Sequence, residues 1–422
     1  MAYLLKSAKV LCKHSPHHGE KVDILIKNGM ITKIAKRIAP DKAKVISSEN
    51  LHVSIGWFDI GTHVGEPGYE QRETLETLDK AAASGGYTGL ALFPKTDPVI
   101  QHKKDISYIY LRSQSLQTDL FPIAALSKDC KGEDLTEFID LKEGGAIAYS
   151  DGLTSVEDDG LLERALNYSK SFGGKILHTP QNNSLNQDGQ VHEGQISISL
   201  GLTGLPELSE KTSVQRDLNI LEYTEADLIF HCISSAKALE VLSTSKLTNK
   251  FQVTIPYLNL VETDEVLLNF DENYKVMPPL RDEHNRSKLI KAVKSKLVDA
   301  IVSNHVPLEI EEKENAFPFT SFGASGLQTC FAKLNSLPRK ELSLETIVEK
   351  LASGPRRILD IELPNIEENA SANLCVFDPD LEWELNGRTN QSKSKNNPYF
   401  GDKLTGKVLC TMNNNKTYFN NK

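Results

Sequence analysis

The strongest constraint on the fold is an alternation of apolar β-like runs with helical stretches, which extends from Gly56 to about Ile358. The β-like runs are 89–93, 145–149, 175–178, 227–231, 252–255 and 300–303. Helix candidates between them include 75–84, 160–172 and 286–297. Repetition of strand and helix over about 300 residues predicts a parallel (β/α) barrel.

The two ends of the chain differ from this pattern, because they consist of short strands separated by turns. Residues 22–26 and 30–34 flank the turn signal Lys27-Asn28-Gly29. Short strand-like runs return at 373–377, 407–412 and 416–419. We expect the two β-rich ends to pair into one small composite domain. The predicted domains are therefore 1–53, 54–365 and 366–422, with 386–397 as an exposed loop.

The composition argues against several classes of protein. Lys and Arg number 48 against 57 Asp and Glu, and no dense basic run occurs, so nucleic acid is not an expected partner. No apolar stretch approaches the roughly 20 residues of a membrane helix, and the N-terminus lacks a signal-peptide pattern. The six Cys form no Cys-x-x-Cys motif, which indicates a reduced, cytoplasmic chain. The 11 His are numerous enough for a metal site, so their positions in the sequence must decide whether one is expected.

Polar residues recur directly after the apolar runs. They are Asp59, His63, Lys95, Asp151, His178, His231, Cys232, Asn304 and His305. Catalytic residues of (β/α) barrels stand at the C-terminal ends of the strands, so this recurrence predicts a shared site. Any one of these residues taken alone is better explained as a packing or surface residue.

Seven segments carry recognisable motifs in a fixed order. They are Gly-Trp-Phe-Asp-Ile-Gly-Thr-His-Val-Gly-Glu-Pro-Gly at 56–68, Phe-Pro-Lys-Thr-Asp-Pro at 93–98, Tyr-Ser-Asp-Gly at 149–152, His-Glu-Gly at 192–194, Val-Met-Pro-Pro-Leu-Arg at 276–281, Ser-Asn-His-Val-Pro-Leu at 303–308 and Ser-Lys-Ser-Lys-Asn-Asn-Pro at 392–398. Together they resemble the dihydroorotase family of cyclic amidohydrolases. The resemblance implies a TIM-like (β/α)8 amidohydrolase barrel with a small β-sandwich domain formed by both termini.

Active members of that family hold metal ions, usually zinc, with imidazoles and carboxylates around an activated water. Four residues match ligand positions: His63, Asp151, His178 and His231. Gly61 replaces the first ligand His and has no ligand atom. Aligning 233–235 with the family's Val-Ser-Thr puts Cys232 rather than His231 at the fourth His, so both remain candidates.

The positions that bind substrate or transfer protons are altered as well. Asn304 replaces the catalytic Asp, and an amide neither accepts a proton usefully nor supplies an anionic ligand. The family's substrate contacts fall at Gly65, Lys95, Asn259 and Leu308. Gly65 replaces an Arg, so a bidentate donor is lost, and Leu308 replaces a His. We expect Asp59 or Asp151 to lie near the positive charge of Lys95.

These replacements predict a catalytically inactive dihydroorotase homologue of pyrimidine biosynthesis. The resemblance implies a structural partnership with aspartate transcarbamoylase, a homo-oligomer, and no cofactor, with zinc as the metal if any is retained. One alternative is an active metal-dependent enzyme that interconverts N-carbamoyl-aspartate and dihydroorotate or a related cyclic amide. The other is a non-catalytic scaffold similar to the metal-free dihydropyrimidinase-related proteins.

Overall fold

The computed structural model describes residues 1–420, and its strands form the two chain ends and the inside of a barrel. The strands in chain order are β1 (Ala2–Val10), β2 (Lys21–Lys27), β3 (Met30–Ala35), β4 (Lys44–Ile46), β5 (His52–Ile55), β6 (Trp57–Thr62), β7 (Tyr87–Leu92), β8 (Asp119–Ala124), β9 (Ala148–Tyr149), β10 (Leu177–His178), β11 (Val191–His192), β12 (Gly204–Leu205), β13 (Leu228–Phe230), β14 (Phe251–Pro256), β15 (Ala300–Val302), β16 (Leu374–Glu384), β17 (Lys403–Asn413) and β18 (Lys416–Phe419).

The helices alternate with the barrel strands, as the sequence pattern predicts. They are α1 (Leu75–Gly85), α2 (Lys103–Ser113), α3 (Phe138–Gly144), α4 (Asp159–Lys170), α5 (Gln195–Leu200), α6 (Glu207–Thr224), α7 (Ala236–Thr244), α8 (Leu258–Val261), α9 (Glu283–Lys294), α10 (Cys330–Ser336) and α11 (Leu344–Ile358). Helix α1 begins where the Thr74 hydroxyl accepts from the Thr77 N–H, and it ends at Gly86, whose φ of 101° is left-handed. Over residues 1–420 no helix is long and apolar enough to span a bilayer.

Eight parallel strands form the barrel, in two groups of four with the orders β6-β7-β8-β9 and β10-β13-β14-β15. A parallel bridge between Tyr149 and Ile176 joins the two groups on one side. On the other side the His63 N–H donates to the His305 carbonyl at 2.9 Å, just beyond the ends of β6 and β15. The predicted TIM-like (β/α)8 barrel is confirmed.

The barrel interior explains why its strands have nearly continuous apolar sequences. One buried cluster fills it: Phe58, Ile60, Ala91, Phe93, Ile123, Ala148, Leu177, Ile229, Cys232, Ala300 and Val302. Parallel strands with this cluster on one side and helices on the other are buried on both faces, which removes the apolar–polar alternation of a half-exposed strand.

A buried carboxylate on β6 connects the first and last strands of the barrel. Asp59 accepts hydrogen bonds from the Ser303 backbone N–H at 2.7 Å, the Ser303 hydroxyl at 2.6 Å and the Thr62 hydroxyl at 2.7 Å. Burial raises the pKa of the Asp59 carboxyl group, and these hydrogen bonds oppose that shift. The bonds fix the chain directly after β15 against β6.

The terminal strands form one sheet with the order β18-β17-β16-β5-β1-β2-β3, and β4 pairs with β1. Strand β5 pairs parallel with β1 and antiparallel with β16, so it joins the two chain ends. This pairing confirms the composite β domain. The boundaries at 53/54 and 365/366 stay predictions, and residues 421 and 422 of the predicted segment 366–422 lie outside the described residues.

The prediction that 386–397 is an exposed loop is wrong for its second half. Less than a tenth of the surface is exposed in Ser392, Ser394, Asn396 and Asn397. The Asn396 side-chain amide donates to the Val306 carbonyl at 2.9 Å, and the Ser394 hydroxyl donates to the Leu308 carbonyl at 2.7 Å. The polar residues are buried because they satisfy backbone groups of the loop that follows β15.

Asp59→Ala should destabilise the fold by about 3 kcal/mol, because it leaves the buried Ser303 N–H without an acceptor and opens a small cavity. Urea unfolding measures the change. Asp134→Ala removes an exposed carboxylate and should change stability by less than about 0.5 kcal/mol. Equal stability of Asp59→Ala and the unchanged protein would show that Asp59 does not hold the barrel closed.

Candidate active site at the C-terminal end of the barrel

The residues predicted to form a site surround the C-terminal end of the barrel. They stand at or after β6 (Asp59 and His63), β7 (Lys95), β9 (Asp151), β10 (His178), β13 (His231 and Cys232) and β15 (Asn304). This common location agrees with the strand-end pattern of the sequence. The orientation of each side chain decides what the group can do.

The Phe93 side chain fills the centre of this group. Its ring centroid lies 5.1 Å from that of His63 and 5.3 Å from that of His231, with interplanar angles of 64° and 86°. A Cβ atom on Gly61 would lie 2.7 Å from the Phe93 ring and 2.7 Å from His231 Nε2. Gly61 also has a left-handed φ of 81°. The lack of space therefore excludes a histidine at position 61 in this arrangement, and the left-handed backbone favours glycine there.

The two imidazoles that flank Phe93 are neutral. Burial lowers the pKa of His231 to about 3, and burial together with the charge of Lys95 lowers the pKa of His63 to about 3. His231 Nδ1 lies 3.0 Å from the Thr254 hydroxyl. The Nε2 atoms of His63 and His231 are buried and have no hydrogen-bond partner in the described chain.

The alternative between His231 and Cys232 depends on which side chain faces the centre. His231 Nε2 approaches Gly61, and its ring contacts Phe93. The Cys232 thiol packs in the apolar barrel interior, where burial raises its pKa well above the ordinary value. His231 is therefore the residue of the pair whose ligand atom faces Gly61.

His178 has both ring nitrogens engaged elsewhere. Its Nδ1 lies 2.7 Å from an Asp217 carboxylate oxygen, and its Nε2 accepts from the Val156 N–H at 3.0 Å. Arg216 holds the other oxygen of Asp217 at 2.7 Å. This network fixes a neutral His178 with the proton on Nδ1, so the lone pair that would bind a metal is already used.

The Asp151 carboxylate is also committed to structural contacts. It accepts from the Ser127 N–H at 2.9 Å, from the Ser127 hydroxyl and from the Cys130 thiol. Burial raises its pKa. The next residue, Gly152, borders the centre, because a Cβ atom there would lie 3.8 Å from His63 Cε1. Asp151 therefore stands at the strand end next to the centre, but its carboxylate is hydrogen-bonded to the loop that follows β8.

The position of the family's catalytic base holds a buried amide. Asn304 Nδ2 donates to the Met277 carbonyl at 3.0 Å, and Asn304 Oδ1 has no partner in the part of the chain that the structure describes. The neighbouring His305 is buried with neither ring nitrogen hydrogen-bonded, and its Nε2 lies 3.7 Å from a Glu73 oxygen. None of these contacts gives Asn304 the proton affinity of a carboxylate.

Lys95 is exposed, and its ammonium donates to the Thr154 hydroxyl. Within residues 1–420 it forms no ion pair with Asp59 or Asp151, the two neighbours suggested by the sequence. An exposed ammonium is hydrated and does not require a buried counter-charge. Both aspartates bond backbone and hydroxyl groups instead.

The other three substrate positions are part of the packing. A Cβ atom on Gly65 would lie 2.0 Å from the Tyr69 carbonyl oxygen, so no side chain fits there. Leu308 is buried, and the Asn259 side-chain amide donates to the Pro279 carbonyl at 2.8 Å. Lys95 alone of the four reaches solvent.

The donors present do not fit a metal centre of the family's kind. In residues 1–420 no three side chains of His, Cys, Asp or Glu are arranged to hold a metal ion. Among the four ligand candidates, Asp151 and His178 are already hydrogen-bonded, and the Phe93 ring packs against the imidazoles of the other two, His63 and His231, whose buried Nε2 atoms have no partner. A stable site needs about three protein ligands with fixed geometry.

Three residues that contact the motif residues were not predicted from the sequence to do so: Phe93, Asp217 and Glu210. Phe93 gave a visible signal, since it stands where the family motif has Met. Asp217 and Glu210 lie within α6, and no sequence pattern pointed to their contacts. Glu210 pairs with the buried Arg281 at 3.3 Å, so Arg281 has a structural partner.

Acidification should destabilise the protein partly through His231. Because its folded pKa is lowered, the unfolded chain binds a proton that the folded chain excludes, so stability is full above about pH 6.5 and falls toward about pH 3. Between about pH 7.5 and pH 5.0 the loss from His231 is about 2 kcal/mol. His231→Gln should show that much less loss in urea unfolding, and the exposed His284→Gln should keep the original pH dependence. Equal pH dependence of all three proteins would contradict the assignment.

Known proteins resemble this chain in sequence and in structure. A family model described as Dihydro-orotase-like matches residues 52–238. A dihydroorotase from Syntrophus aciditrophicus (strain SB) is 35% identical over 419 residues, which cover 98% of both chains. A dihydroorotase from Aquifex aeolicus (strain VF5) is 31% identical over 419 residues and 99% of both chains.

Solved structures share the fold. An L-hydantoinase (dihydropyrimidinase) from Arthrobacter aurescens superimposes with a TM-score of 0.85 at 20% identity, over 100% of this chain and 96% of that chain. At this identity the likeness concerns the architecture. The full-length sequence matches carry the assignment further: the chain belongs to the dihydroorotase family of cyclic amidohydrolases.

Proposed function

We propose that this chain is a dihydroorotase homologue of pyrimidine biosynthesis that has lost the family's metal-dependent reaction and acts as a structural subunit without a cofactor. The observation that carries the proposal is the Phe93 ring packed against His63 and His231. An active site of this kind needs a metal ion and its bound water among these imidazoles. A phenyl ring supplies no ligand atom, and Gly61 replaces the ligand His on its other side.

The proton-transfer position supports the same conclusion. Hydrolysis of a cyclic amide needs a group that takes a proton from water and returns it to the leaving nitrogen. Asn304 cannot do this, because its amide is neutral and its Nδ2 is bound to the Met277 carbonyl. Loss of a general base alone slows a reaction by about 10²-fold to 10⁴-fold.

The substrate contacts add a third, independent reason. A dianionic substrate would need charge-assisted hydrogen bonds for orientation. Gly65 has no room for a side chain, and Leu308 is apolar and buried. Lys95 is the remaining positive group, but its ammonium contacts Thr154 and stays exposed.

A structural role with aspartate transcarbamoylase follows from the resemblance to inactive members of the family. The match to a dihydroorotase over 98% of the chain supports the family scaffold on which this proposed role depends. The buried ion pair Arg281–Glu210 and the Asp59–Ser303 bonds are examples of what remains intact.

One observation favours the competing function, an active metal-dependent cyclic amidohydrolase. The buried Nε2 atoms of His63 and His231 lack partners, and a bound metal would satisfy them. Phe93 would then have to leave the centre. The two functions differ in metal content and turnover, which one preparation can measure.

Purified protein should contain less than about 0.1 equivalent of zinc after incubation with zinc and removal of excess, because only two of the four ligand candidates, His63 and His231, keep an unpartnered buried Nε2. Dihydroorotate turnover should not exceed that of His63→Ala, which serves as a control for contaminating enzyme. The dihydroorotase from Syntrophus aciditrophicus, purified in the same way, serves as the positive control of the turnover assay. One equivalent of zinc together with turnover that His63→Ala abolishes would establish the active alternative.

The chain and the aspartate transcarbamoylase of the same organism should form one complex when mixed. Size-exclusion chromatography with light scattering measures its mass, and the same measurement on the chain alone tests the proposed homo-oligomer. Separate elution of the two proteins at micromolar concentration would overturn the partnership and leave the loss of catalysis untouched.

A further inference from the structure

A second concave site lies beside the barrel mouth, between the β11–β12 pair and the first turns of α6 and α9. It has a volume of about 390 Å³. Six carboxylates line it: Glu193, Glu207, Asp264, Glu265, Asp282 and Glu283. Lys237 is the one basic side chain among its lining residues, and its ammonium lies 3.7 Å from Glu207. The site therefore carries a large excess of negative charge.

Asp264 has an unusual environment within this site. Only 4% of its surface is exposed, and across residues 1–420 its carboxylate has no ion-pair partner and no hydrogen bond from another residue, only one from its own backbone N–H. Burial, together with the neighbouring charge of Asp282, raises the pKa of Asp264 to about 6. A largely buried carboxylate that no other residue neutralises favours the binding of a cation, because the cation offsets the cost of removing that charge from water.

The protein's own residues do not supply that cation. His192 lies close by: a Cβ atom on Gly194 would be 3.7 Å from His192 Nε2 and 4.0 Å from Asp264 Oδ2. Burial and the charge of Arg281 lower the pKa of His192 to about 4, so its ring stays neutral. Arg281 itself is bound to Glu210.

We propose that this pocket binds an organic cation, an alkylammonium or guanidinium group, whose charge pairs with Asp264. A bare metal ion suits it less, because the described residues provide no three donors arranged around one point. Asp282 is occupied as the N-cap of α9, where it accepts from the Asn285 N–H at 3.0 Å. Pro206, Ile196 and the half-exposed Leu208 give the pocket apolar walls that an alkyl chain can cover.

An alkylammonium group could belong to either of two ligands, a free diamine or a lysine side chain of another protein. We therefore choose 1,5-diaminopentane and N-acetyl-lysine methylamide as probes, each titrated to roughly 10 mM with melting temperature and calorimetry as readouts. At least one probe should bind and raise the melting temperature. Binding by the diamine alone indicates a free amine, and binding by both indicates that a side chain is also accepted.

Asp264→Asn should weaken binding by about tenfold or more, since it removes the charge that pairs with the ligand. The variant should fold, because it replaces an unpaired buried charge by a neutral group of the same shape. Glu265→Gln, on the exposed rim, should weaken binding about twofold to fivefold and provides a second readout. Glu314→Gln, an exposed carboxylate outside the pocket, should bind like the unchanged protein.

The proposal is overturned if neither probe binds, or if Asp264→Asn and Glu265→Gln bind as tightly as Glu314→Gln. It is also overturned if Mg²⁺ binds through Asp264 and neither amine does, because the pocket would then be a metal site. None of these results depends on whether the barrel centre is catalytically active.

Discussion

The barrel depends on a carboxylate that joins its first strand to the end of its last. Asp59 accepts the N–H and the hydroxyl of Ser303, and the backbone of His63 pairs with His305 one step further along. These bonds fix the two strand ends that carry His63 and Asn304. Asp59 belongs to the motif segment 56–68, so a residue of that segment has a structural role here.

An apolar side chain occupies the centre of the C-terminal end of the barrel. Phe93 contacts both His63 and His231, and Gly61 leaves no ligand on the remaining side. Burial lowers the pKa of both imidazoles, and the Phe93 ring packs against their neutral forms. An apolar contact thus takes the place that charge occupies in an active relative.

Several polar side chains around the centre are hydrogen-bonded to other parts of the fold. His178 bonds Asp217 and Val156, Asp151 bonds Ser127, and Asn304 bonds Met277. The acidic pocket beside the mouth is different, because Asp264 is buried without any such partner. Contacts within the fold therefore account for the burial of the polar groups at the centre but not for that of Asp264.

The sequence by itself determined the barrel, the pairing of the two chain ends and the loss of ligands at Gly61 and Asn304. The barrel and the pairing follow from hydrophobic periodicity, and the two replacements follow from the resemblance of short motifs to those of the family; both are local properties of the sequence. Only the tertiary structure decided that Phe93 fills the centre, that His178 is already bonded to Asp217, and that the polar segment around Ser394 and Asn396 is buried. Each of these depends on contacts between residues far apart in the chain, and local sequence patterns carry no information about which distant groups will meet.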